Sequence, residues 1–164
     1  MIKKKLSLQT LLNLMEYLEK EISLNQSFVI ANNAVLKTKS DDTMKEKVKG
    51  HYDKSQKCQT QLQSFKIAKT IANSEEIDGV SNNARIYELS DLKRNERFLS
   101  VLLGQKSKTK KGSKVDYVHY IPKSELKDEL QKIEESMSEL KNQMSEFNES
   151  YEVEVEVDKD LDLI

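Results

Sequence analysis

Proline and glycine are nearly absent, with one proline and four glycines in 164 residues. That scarcity excludes turn-dense sandwiches, barrels and propellers, whose tight turns need these residues. The one cysteine, Cys58, excludes a disulfide scaffold. No apolar run approaches the roughly 20 residues that cross a bilayer; the longest is Phe28-Val-Ile-Ala31. Met1-Ile-Lys-Lys-Lys5 resembles the basic start of a signal peptide. Asn13 and Glu16 interrupt the apolar stretch behind it, however, and no small-residue cleavage site appears. A cytoplasmic location without a membrane partner is expected. Arginine is scarce too, at three against 24 lysines. With the asparagine richness, this is the usage that AT-rich bacterial and phage genomes produce.

What is present is charge, at 34% of residues against 37% apolar. The net charge of −1 conceals an asymmetry. From Glu146 to Ile164, eight acids face a single lysine, so this end carries −7 and the preceding 145 residues carry +6. A basic body with an acidic end can bind anions, or can fold its own tail onto the basic surface.

Hydrophobic spacing predicts the elements. Ser7 is a candidate N-cap for a first helix whose stripe is Leu8, Leu11, Met15, Leu18 and Ile22, running to about Leu24. Phe28 to Leu36 reads as strand or irregular structure around Asn32-Asn33, with a continued helix as the alternative. A long helix over about 41–72 comes next, striped by Met44, Val48, Ser55, Cys58, Leu62 and Phe65. The longest expected loop is 73–87, and a third helix spans about 89–103 with Gly104 as its C′ residue. Gln105 to Lys114 holds five lysines and no acid and reads as a basic loop. Val115 to Ile121 reads as a strand ended by Pro122.

Ser124 is the expected cap of the last helix, which carries the clearest pattern. Leu126, Leu130, Ile133, Met137, Leu140, Met144, Phe147 and Tyr151 alternate spacings of four and three, a sustained heptad. Val153, Val155 and Val157 then alternate with Glu154 and Glu156, the period of a strand with one apolar face. The expected fold is mainly α: a long antiparallel helical hairpin or bundle with coiled-coil character. A small antiparallel β element formed by about 115–121 and 151–157 completes it. One helical domain over 1–164 is expected, with a basic loop at 105–114 and an acidic C-terminal strand and tail at 151–164. The narrow seam of the last helix predicts a homo-oligomer, the chain being its own partner.

The run Leu8-Gln-Thr-Leu-Leu-Asn-Leu-Met-Glu-Tyr-Leu-Glu-Lys-Glu-Ile22, a long second helix, a polar loop, a third helix and a terminal heptad helix resemble the septicolysin-like bacterial helical family. The resemblance covers about residues 6–150 and rests on element order and heptad character. It departs at 105–121 and in the Val-Glu alternation. It implies a helical fold and carries over no catalytic residue.

Catalytic and metal chemistry find little support. His51 and His119 lie far apart, and Cys58 falls within an apolar stripe, where a buried inert thiol is the ordinary reading. Asp116-x-x-His119 has the spacing of a di-iron motif, but in one copy on a predicted strand. No dinucleotide fingerprint, phosphate loop or nucleophile elbow occurs. A non-enzyme without cofactor or metal is expected.

Anion binding fits the residues better. Arg85, Arg94 and Arg97 fall within 13 residues, and their guanidinium forks match phosphate oxygens. Asn82 and Asn83 can bond a base or sugar edge, and Tyr87 can stack. Lys108, Lys110 and Lys111 add charge, while Tyr117 and His119 add aromatic faces. Arg94 and Arg97 can equally decorate the solvent side of helix three, paired with Glu88 and Glu96. The favoured reading is a non-catalytic, oligomeric protein that sequesters a small anionic, nucleotide-like ligand near the 82–119 loops. The alternative is a protein-interaction adaptor or inhibitor using the heptad helix and the acidic C-terminal ribbon. A nucleic-acid partner is disfavoured by the balanced charge, with single-strand binding as the third reading.

Overall fold

The structure, a computed structural model, describes residues 1–34, 41–77, 79–105, 120–161 and 163. In chain order it contains β1 (Ile2–Ser7), α1 (Leu8–Asn32), α2 (Asp42–Ser74), β2 (Glu76–Ile77), β3 (Val80–Ser81), α3 (Asn82–Gly104), α4 (Lys123–Ser150) and β4 (Glu152–Val157). A 3-10 turn, Lys159–Leu161, comes after β4. The protein is thus mainly α with small antiparallel β elements, as its composition and periodicity predict. Among the described residues, no helix is long and apolar enough to cross a membrane. Where the sequence reading takes 1–164 as one domain, two compact units are found. The first is Met1–Glu75 with Phe147–Ile164, and the second is Glu76–Glu146.

In the first unit, α1 and α2 form an antiparallel hairpin. Asn25 meets His51 and Glu21 meets Lys54, so positions advance in opposite directions along the two helices. Their seam is the predicted stripe: Leu8, Leu11, Met15 and Leu18 pack with Cys58, Leu62, Phe65 and Ala72. Burying each larger side chain contributes about 1.5–3 kcal/mol. Ser7 caps α1 by accepting from the Thr10 N–H at 3.2 Å, and Asp41 caps α2 through Thr43 at 3.0 Å. With 33 residues, α2 spans about 50 Å at about 1.5 Å per residue.

Several expectations on local structure are corrected. Helix α1 does not stop at Leu24 but runs through Phe28 to Asn32. The amides of Asn25 and Asn32 bond back to the carbonyls of Glu21 and Phe28, at 2.6 and 2.8 Å, instead of turning the chain. The Phe28 ring also packs on His51 of α2, with centroids 4.0 Å apart. The 73–87 stretch is not one loop. Gly79, at φ 78°, lies in a small hairpin between β2 and β3, and Ser81 then caps α3 by accepting from Ala84 at 3.2 Å. Helix α3 therefore starts at Asn82. Gly104 is its last residue rather than a left-handed C′ residue. Helix α4 begins at Lys123, with the Leu126 N–H bonded to the Pro122 carbonyl at 3.2 Å, so Ser124 lies inside it.

The partner of β4 also differs from expectation. Ile2–Ser7 pairs antiparallel with Glu152–Val157, matching Ile2 with Val157, Lys4 with Val155 and Leu6 with Val153. Residues 115–119 of the expected partner lie outside the described residues, and Tyr120 and Ile121 are not in a strand. The inner face of β4 explains the pairing: Val153, Val155 and Val157 are buried in the first unit's core, and Ile2 and Leu6 pack against it. The second unit has its own core of Leu99, Leu126, Ile133 and Met137, flanked by Leu89, Leu92 and Leu130. The heptad stripe of α4 thus supplies both units, since Phe147 belongs to the first.

Candidate functional site

Five of the sequence-predicted site residues, Lys108, Lys110, Lys111, Tyr117 and His119, lie outside the described residues. The other six are all on α3, not on a loop. Asn82 is buried at its first turn, Asn83 and Arg85 are half-buried, and Tyr87, Arg94 and Arg97 are exposed. At about 100° per residue, Arg94 lies on the opposite side of the helix from Arg85, about 13.5 Å further along its axis. Arg97 is a neighbour of Arg94, whose guanidinium pairs with Asp91 at 3.2 Å. Tight spacing in sequence thus does not become convergence on one face.

Residues with reactive side chains elsewhere are engaged in structure. Burial pushes the Cys58 thiol up from its ordinary pKa, which suits an inert core group. Since the Asn25 amide nitrogen donates to Glu21, its oxygen is the atom facing His51. The His51 Nδ1 therefore carries the proton that bridges them at 2.7 Å. Among the described residues, no group of three or more His, Cys, Asp or Glu side chains is arranged to hold a metal ion.

The acidic C-terminal ribbon is organised in more detail. The Leu8 N–H donates to the Tyr151 carbonyl at 2.9 Å, which fixes the phase of the antiparallel pairing. Val153, Val155 and Val157 therefore turn their backbone polar groups toward β1, while Glu152, Glu154 and Glu156 turn theirs away from it. Gln61 of α2 confirms that phase independently. Its amide nitrogen donates to the Glu156 carbonyl and its oxygen accepts from the Asp158 N–H, both at 2.8 Å. Gln61 is 1% exposed, so it acts as a buried stand-in for one residue of a neighbouring strand.

Beyond Gln61 no described residue covers the edge. Among the described residues the sheet consists of β1 and β4, and none of those residues supplies a partner for the outward N–H and C=O groups of Glu152 and Glu154. Alongside runs a groove of about 420 Å³, lined by Ile67, Ala68, Ile71 and Ala72 of α2 and by residues 151–156. Ile67 and Ile71 are each 57% exposed. At one end of the groove the Tyr151 hydroxyl donates to Glu75, a bond that raises the tyrosine pKa. Past its other end, Lys57 pairs with Asp160 at 2.6 Å, which lowers the Asp160 pKa.

The carboxylates of Glu152, Glu154 and Glu156 form one exposed row on the outer face of β4. Lys3 and Lys5 stand opposite Glu156 and Glu154, and the Lys3 ammonium reaches the Glu154 carboxylate at 3.3 Å. Sequence reasoning identified the acidic alternation but missed Gln61, Ile67, Ile71 and the role of Ile2–Ser7. The available signal was complementarity: a basic segment of strand length matches an acidic one. Comparison with known proteins yields no matching family model, curated protein or solved structure.

Proposed function

We propose that this protein is a non-catalytic protein-interaction module, a helical scaffold that presents an acidic ribbon to a basic segment of another protein. One observation carries this reading. The valines of β4 are anchored in the core while Glu152, Glu154 and Glu156 stand in an exposed row beside a strand edge that no described residue pairs. A merely solvated tail has no need of that anchoring. The nucleotide-like reading ranks below it, because Arg85 and Arg94 on opposite sides of α3 cannot both face one small ligand.

The test compares immobilised full-length protein with its Glu152→Gln, Glu154→Gln, Glu156→Gln variant in retaining proteins from a bacterial lysate. The expected result is a discrete protein held by the native chain, released as salt rises and lost with the variant. Identical retention by both would overturn the reading.

A further inference from the structure

Resting on that reading, we infer that the edge of β4 left unpaired among the described residues is a strand-addition site for an extended peptide that alternates basic and apolar residues. An edge strand displays unpaired backbone donors and acceptors, and folded proteins commonly blunt such edges. Here the blunting is partial. Gln61 occupies the Glu156 carbonyl and the Asp158 N–H, leaving the outward groups of Glu152 and Glu154 and the N–H of Glu156 beside the groove. A peptide strand laid along them gains main-chain hydrogen bonds, the source of affinity in β-augmentation.

Side-chain alternation supplies the selectivity. Every second residue of the added strand turns inward onto Ile67 and Ile71, whose exposed apolar surface it would cover. The residues between turn outward and flank the carboxylates of Glu152, Glu154 and Glu156. Opposite charges across paired strands are favourable and like charges are not, so lysine or arginine fits the outward positions. The other edge of β4 already shows the chemistry, with Lys3 and Lys5 set against Glu156 and Glu154. The same rule disfavours two copies joining β4 to β4, because their glutamate rows would meet.

The experiment uses the full-length, isotope-labelled chain and two synthetic heptapeptides, one alternating lysine with valine and one alternating glutamate with valine. Amide hydrogen exchange is read residue by residue. In the free protein the Glu152, Glu154 and Glu156 amides should exchange fast and those of Val153, Val155 and Val157 slowly. Saturating lysine peptide should slow the three glutamate amides by about tenfold or more, and the glutamate peptide should not. Glu154→Pro removes one outward N–H, together with the carboxylate that Lys3 reaches, and leaves the main-chain bonds to β1 intact, at a position an edge strand tolerates. It should weaken peptide binding by about tenfold while the valine amides stay protected. Unchanged exchange at the three glutamates would overturn strand addition. So would slow exchange there in the peptide-free protein accompanied by self-association, which would assign the edge to a second copy. The retention experiment reports separately whether the carboxylate row binds a partner at all.

Discussion

Gln61 does more for the first unit than its polar character suggests. Its primary amide satisfies one backbone acceptor and one backbone donor at the end of β4, where α2 shuts out solvent. Gln61→Leu keeps the bulk but leaves both groups unmet, at about 1–3 kcal/mol for each buried group. We expect a loss of about 2–6 kcal/mol, read as a lower urea midpoint with an unchanged slope. Nothing in the sequence singles out this residue. Its partners are main-chain atoms of residues 156 and 158, so no motif or spacing records the contact. Arg85, Arg94 and Arg97 illustrate the reverse: conspicuous in sequence, they do not converge, Arg85 lying on the opposite side of the helix from Arg94 and its neighbour Arg97. Asn32 misleads in a similar way, because its amide bonds within α1 where the residue type suggests a turn.

At the scale of elements, strict periodicity was the most legible signal. The four-three spacing of α4 and the two-residue alternation of β4 both place their buried residues where the structure has them, from Leu126 to Val157. The mate of β4 was harder to read. Three consecutive lysines hide the alternation of β1, where Lys4 sits half-buried on the inner side between Ile2 and Leu6. A lysine can occupy such a site because its stem is apolar while its ammonium reaches outward. The charge match between the strands is itself testable. Lys3→Glu with Lys5→Glu sets like charges across the pair and should cost about 1–2 kcal/mol. Adding Glu154→Lys and Glu156→Lys should restore most of it, and chemical denaturation of these two variants, the native chain and the chain carrying only Glu154→Lys and Glu156→Lys gives the coupling energy.

For the whole molecule, two cores share one helix, with Ile133 and Met137 of α4 in the second unit and Phe147 in the first. Ile133→Ala should cost about 2–5 kcal/mol through the cavity it leaves. Its effect should appear first as faster amide exchange at Leu99 and Leu126, with Val153 and Val155 keeping their protection. Equal acceleration in both cores would mean that the units open together. The pairing of Ile2 with Val157 has a consequence for how the chain is made. Once two strands can meet, a hairpin closes in about 1–10 µs. At about 5–20 residues per second, the ribosome needs roughly 7–30 s after finishing β1 to complete β4. Throughout that interval Ile2 and Leu6 have no strand to lie against, although α1 and α2 can already form behind them. Birth of the first unit is therefore timed by translation rather than by the chemistry of pairing.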